Sequence, residues 1–163
     1  MRYLVLIMCC IACSDGLAGE HPTVPLLTGL LKKQKDSKEV SSLVHRYSMS
    51  GGFKGDSGSF SSPDQAFTLL VRDNEISAIA VRLKDWPEGY GEKHWKRYVG
   101  KVPGNLSGKD GRDAVAKKLG KSVENRKGTW LHRGLYLWVH FDEKGESIEE
   151  LWMSRQIIGA TGD

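Results

Sequence analysis

Leu119-Gly120-Lys121-Ser122 ends like a phosphate-binding loop, in which successive backbone N–H groups curl around an anion and a lysine reaches its oxygens. That chemistry needs a glycine five residues before the Gly-Lys-Ser, and the position is held by Val115. It also needs a helix that begins after the loop and presents its N-terminus to the phosphate. Here the helical pattern comes before Gly120, so the carbonyl end of the helix dipole would face the anion. The stretch reads instead as a helix stop. Val115 and Leu119 share one face, Lys117, Lys118 and Lys121 complement the negative end, and Gly120 turns the chain.

Other reactive residue types are present without the spacing that makes them work. His21, His45, His94, His132 and His140 are scattered, with no HExxH pair and no third ligand of the kind zinc requires. No Gly-x-Ser-x-Gly elbow presents a nucleophilic serine. Asp85, Glu88 and Glu92 could act as acid and base on a glycosidic bond, but they flank the turn Pro87-Glu88-Gly89, where carboxylates are ordinarily solvated. The cysteines are Cys9, Cys10 and Cys13, all in a segment that processing would remove or modify. No catalytic residue, metal or cofactor is therefore assigned, and the expectation is a protein that is not an enzyme. A cell-wall hydrolase using the loop carboxylates is the alternative from another class.

The segment from Trp86 to Lys101 offers binding chemistry. It concentrates Trp86, Tyr90, Trp95 and Tyr98 among Lys93, His94, Lys96, Arg97 and Lys101. Rings interleaved with cations suit a recognition surface, because they combine large rigid contact area with charged hydrogen bonding. The bland reading makes the same rings plugs in a connector. Further along, Trp138 and Trp152 are out of phase with Val139, Phe141, Leu151 and Met153. In strands they point to the opposite face, and on an uncovered sheet they would mark an interface. The candidate interface residues are thus Trp86, Tyr90, Trp95, Arg97, Tyr98, Trp138 and Trp152.

The elements that must position these residues follow from periodicity. Ser37 is placed to cap a helix on which Val40, Leu43, Val44 and Tyr47 fall at i, i+3, i+4 and i+7. Residues 48–64 are Gly/Ser-rich and read as a long loop. Ala66 to Arg72 and Glu75 to Leu83 read as strands joined by an Asp73-Asn74 turn. After the connector 84–110, Asp110 opens a second helix that ends at Gly120. Thr129 to Arg133, Leu135 to Phe141 and Ser147 to Met153 read as three more strands. Phe67, Leu69, Ile76, Ile79 and Val81 recur as Val139, Phe141, Ile148, Leu151 and Met153 at a constant offset. This predicts an α+β fold of two helix-then-antiparallel-strand units, about 37–83 and 110–155, forming one curved sheet with helices on one face.

The chain of 163 residues opens with Arg2, the apolar run Leu4 to Cys13 and the small residues Gly16 and Ala18. That is the layout of a signal peptide ending at Ala18, too short to span a bilayer as a mature helix. The alternative is a lipobox at Ile11-Ala12-Cys13, with Cys13 lipidated and the chain anchored to a membrane only through that lipid. Either way the protein is expected to be exported, periplasmic or secreted, with residues 20–163 as one domain. A net charge of +4 falls well short of a dedicated nucleic-acid binder.

Val115, Leu119, Gly120, Trp130, Tyr136, Val139, Phe141, Gly145 and Ile148 follow a "V…LG…W…Y…V.F..G.I" pattern. It resembles that of the SmpA/OmlA (BamE-like) outer-membrane lipoproteins. The proline that family carries two residues beyond the glycine is Ser122 here. A tandem of such units resembles the β-lactamase-inhibitor-protein fold. The resemblance covers about 40 residues well and implies a non-enzymatic envelope component that binds another envelope or secreted protein. An immunity-type inhibitor of a secreted toxin is a further alternative.

Overall fold

A computed structural model describes residues 21–85, 94–124 and 126–157 of the chain. The expected signal peptide, Cys13, Trp86, Glu88, Tyr90 and Glu92 lie outside the described residues.

Seven strands form the sheet: β1 (Ser50–Lys54), β2 (Ser57–Ser62), β3 (Phe67–Arg72), β4 (Glu75–Arg82), β5 (Thr129–His132), β6 (Leu135–Phe141) and β7 (Ile148–Ser154). Their order across the sheet is β1-β2-β3-β4-β7-β6-β5, and every neighbouring pair is antiparallel. Among the described residues three short α-helices accompany them: α1 (Val24–Thr28), α2 (Lys38–Arg46) and α3 (Arg112–Leu119).

This corrects the expected division into two helix-then-strand units. The architecture is one curved, open, seven-stranded antiparallel sheet with few helices. The physical reason lies in its centre. β4 pairs directly with β7, Ile79 opposite Met153 and Val81 opposite Leu151, and all four side chains are fully buried. The strands on either side of the connector therefore share one ladder and one core. At about 2 kcal/mol for each buried aliphatic side chain, that shared layer is too large to divide.

The second correction concerns residues 48–64. Most of this stretch is a β-hairpin, β1 and β2 joined by the two-residue loop Gly55-Asp56, with Gly55 at φ +63. Phe60 stands opposite Gly51 and Phe53 opposite Gly58, so each small residue leaves room for a ring.

Elsewhere the local chemistry explains the elements. Asp73 and Asn74 both take positive φ, 53 and 62, as a tight hairpin turn demands. Val40 and Leu43 of α2 are buried, while Val44 and Tyr47 pack at the margin of the core. Ser37 is the N-cap of α2, but its hydroxyl makes no cap bond. Asp110 does not open α3; Gly111 occupies the N-cap. The Asp110 carboxylate accepts from the Ser107 backbone N–H at 2.7 Å and pairs with Lys118. Gly120 ends α3 at φ 83, and its N–H donates to the Ala116 carbonyl. Bulges at Leu70/Val71 and at His140/Phe141 add the local twist that curves the sheet.

Buried residues of α1, α2 and α3 join one cluster with Phe67, Leu69, Ile79, Val81, Leu137, Val139, Leu151 and Met153. By strand alternation Thr68, Ala80, Arg82, Trp138, His140, Glu150 and Trp152 lie on the opposite face.

Candidate functional site

That opposite face carries a graded set of side chains. On its β1 side the rows consist of small residues: Ser61 stands opposite Thr68, and Thr68 opposite Ala80. The same row continues through Trp152, Trp138 and Thr129. The neighbouring row runs from Ala78 through Ser154 and Tyr136 to Leu131. Aromatic and aliphatic bulk thus collects over β5, β6 and β7, beside small side chains of which Ala78, Ala80 and Ser154 are buried.

Trp138 and Trp152 are directly cross-strand, their ring centroids 5.6 Å apart and their planes tilted by 52°. Trp138 is 38 % exposed and Leu131 55 %, while Trp152 is half-buried. The Trp152 indole Nε1–H donates to Glu150 Oε2 at 2.6 Å. Glu150 Oε1 lies 3.5 Å from an Arg82 guanidinium nitrogen. The Arg82 guanidinium in turn sits 4.4 Å from the centroid of the Trp95 ring. Trp95, Arg82, Glu150, Trp152 and Trp138 therefore form one continuous chain of contacts across the face.

The electrostatics of this chain are those of a mostly desolvated pair. The Arg82 and Glu150 side chains are only 15 % and 12 % exposed. Burial pushes the Arg82 guanidinium below its ordinary pKa, and the carboxylates of Glu150 and Glu149 work in the opposite direction. Arginine stays charged through such a shift, so the face holds an ion pair fixed between two indole rings.

Beyond the end of β5, where β6 continues past Thr129, an open groove of about 1000 Å³ adjoins Trp138. Lys84, Arg112, Lys127, His140 and Glu149 contribute to its walls. The Arg112 guanidinium lies 4.7 Å from the Phe141 ring centroid. Asp142, at the groove, accepts from the Ser147 hydroxyl and pairs with Lys84 at 3.2 Å.

The remaining expected site residues fall as follows. Trp95 is half-buried against Arg82, and Arg97 is exposed with its backbone N–H donated to Asp85 Oδ1 at 2.8 Å. Tyr98 is buried in the core, where its hydroxyl donates to the Pro22 carbonyl and its ring meets His21 edge-on. The 94–101 segment thus divides, one ring to the open face and one to the core. Asp85 is exposed. Among the described residues no three His, Cys, Asp or Glu side chains gather as a metal-ligand set.

Sequence reasoning missed Arg82 and Glu150. A signal was present, since Glu150 has the parity of Trp152 and Arg82 that of Ala80. Only the β4–β7 register, which no local pattern encodes, brings the two together.

No protein-family model matches the chain, and neither a curated protein nor a solved structure shows a significant match.

Proposed function

We propose that the protein is a non-enzymatic, exported envelope protein that binds another protein through its open sheet face. The observation that carries this reading is the Trp138–Trp152 pair, held against the Glu150–Arg82 ion pair on a face whose alternation leaves it opposite the core. Tryptophan and arginine fixed in place before binding are the residue types that dominate protein interfaces, because little side-chain entropy is lost when the partner arrives. The exposed part of this face lies at Trp138 and Leu131, whereas Ala80 and Ala78 beside them are buried, so a partner's contacts would centre on β5 and β6. Export rests on the apolar leader Leu4 to Cys13 and the small residues that follow it.

A photo-reactive residue at position 138 tests the reading, with one at the exposed Lys117 of α3 as control. The expected result is a defined protein crosslinked from position 138 in intact cells and not from position 117. Equal labelling from both positions, or none from 138, contradicts it.

A further inference from the structure

Arg133 holds the first position of the β5–β6 turn at φ 50, followed by Gly134 at φ 78. This two-residue loop joins His132 to Leu135, which stand opposite each other. Such a turn needs a left-handed backbone at both positions and is ordinarily built from Asn, Asp or Gly. The β3–β4 turn of this chain, Asp73-Asn74, follows that rule. An arginine at the left-handed position strains its own backbone. Its side chain is exposed and makes no ion pair among the described residues, so no salt bridge within the chain offsets the strain.

The other end of β5 is also cationic. Residues 121–133 carry Lys121, Arg126, Lys127 and Arg133 against one acid, Glu124. All four cations are exposed, and none is ion-paired among the described residues. The turn that presents them is fixed by three backbone hydrogen bonds, Arg126 N–H to the Val123 carbonyl, Thr129 N–H to the Arg126 carbonyl and Val123 N–H to the Thr129 carbonyl. Its Gly128 rests on the Trp138 indole, since a Cβ there would lie 3.6 Å from both Cδ1 and Nε1. Lys127 and Arg133 are six residues apart, about 20 Å along a strand. Between them lie the exposed Leu131 and Trp138.

We infer that Arg126, Lys127 and Arg133 form a cationic rim around Leu131 and Trp138, and that the partner protein brings an acidic surface to it. This rests on the reading of the open face as a protein interface. Unpaired cations repel one another in the free chain, and an acidic partner removes that repulsion. Across the groove the charges are mixed, with Glu143 and Glu146 beside Lys144 and the Lys84–Asp142 pair. The sign of the rim is therefore set on the β5 side. Charges at a solvated rim act mainly on the rate of encounter and on the choice of partner.

Photo-crosslinking from position 138 supplies the partner, and association rates between the purified proteins then read its charge. Arg126→Glu/Lys127→Glu is expected to slow association at least about tenfold, and the parent's rate is expected to fall as salt rises from about 20 mM to about 200 mM. Lys38→Glu/Lys54→Glu makes the same charge change on exposed residues of α2 and β1, and is expected to leave the rate within about twofold. Arg133→Asn is expected to raise the thermal midpoint, because asparagine tolerates the left-handed backbone, while slowing association about threefold. Rates insensitive to salt, equal slowing by the Lys38 and Lys54 pair, or an Arg133→Asn variant that binds like the parent overturns the acidic partner and leaves the open-face reading standing. No protein crosslinked from position 138 overturns both.

Discussion

Arg82 on β4 and Glu150 on β7 stand directly opposite each other across the central ladder of the sheet, guanidinium to carboxylate at 3.5 Å, with Trp95 on one flank and Trp152 on the other. A pair this desolvated is costly to break from one side only, because the remaining charge stays buried. Glu150→Ala is expected to destabilise the fold by about 3 kcal/mol, measured by urea unfolding. The double variant Arg82→Met/Glu150→Leu is expected to recover most of that loss. If the double variant is as unstable as the single one, the pair does not act as a unit.

Acid stability follows from two aspartates. Asp142 is held well below the usual carboxylate range, first by the Ser147 hydroxyl and further by the Glu146 backbone N–H and Lys84, although burial opposes the shift. At Asp110 burial alone would raise the pKa, but hydrogen bonds from Lys118 and the Ser107 backbone N–H outweigh it, and the net direction is down. A folded-state pKa below the unfolded one contributes stability above about 3.8 that is lost as pH falls through the folded value. Stability is therefore expected to drop steeply below pH 4. Asp142→Asn, less stable at neutral pH, should show a shallower drop, and an unchanged acid limb would contradict this assignment.

The alkaline limb belongs to Tyr98. Burial, with a smaller contribution from Tyr47, pushes its hydroxyl up from 10.0 to about 12. The folded state favours the neutral phenol, so this stability is complete below pH 10 and is lost as pH rises toward 12. Thermal melts of Tyr98→Phe should show a smaller decline across that window than the parent protein.

Gly120 tests the helix stop. Its backbone, φ 83 and ψ −149, lies in a region open almost only to glycine, although a Cβ there would meet nothing within 4 Å. Gly120→Ala is expected to cost about 2 kcal/mol from backbone strain alone. The Gly120 carbonyl also accepts from Trp130 Nε1–H at 3.1 Å, so Trp130→Phe should remove about 1 kcal/mol more. A neutral Gly120→Ala would mean that the chain reverses there without needing glycine.

The legible parts of the fold were those whose side chains alternate. β3, β4, β6 and β7 announce themselves because Phe67, Leu69, Ile79, Val81, Val139, Leu151 and Met153 all enter one core. β1 and β2 do not, since their Ser and Gly residues have no strong strand preference and β1 is exposed throughout. What the hairpin had to offer was the Gly55-Asp56 turn and the glycine–phenylalanine pairing, both hidden in a composition that otherwise marks loops. The central β4–β7 ladder was also out of reach, because pairing between strands about 70 residues apart leaves no local periodicity. That ladder joins the strands on both sides of the connector into one sheet, and it alone sets Arg82 against Glu150. At the candidate site, strand parity was enough to place Trp138 and Trp152 together on the face away from Val139 and Leu151. It did not reveal that Tyr98 turns inward while Trp95 turns out.

The central claim is that the open face of the sheet binds a protein partner, and the affinity of the protein captured from position 138 tests it most directly. Trp138→Ala is expected to weaken that affinity at least about tenfold while unfolding remains cooperative and Lys117→Ala binds like the parent. Unchanged affinity in Trp138→Ala, or an equal loss in Lys117→Ala, would contradict the account.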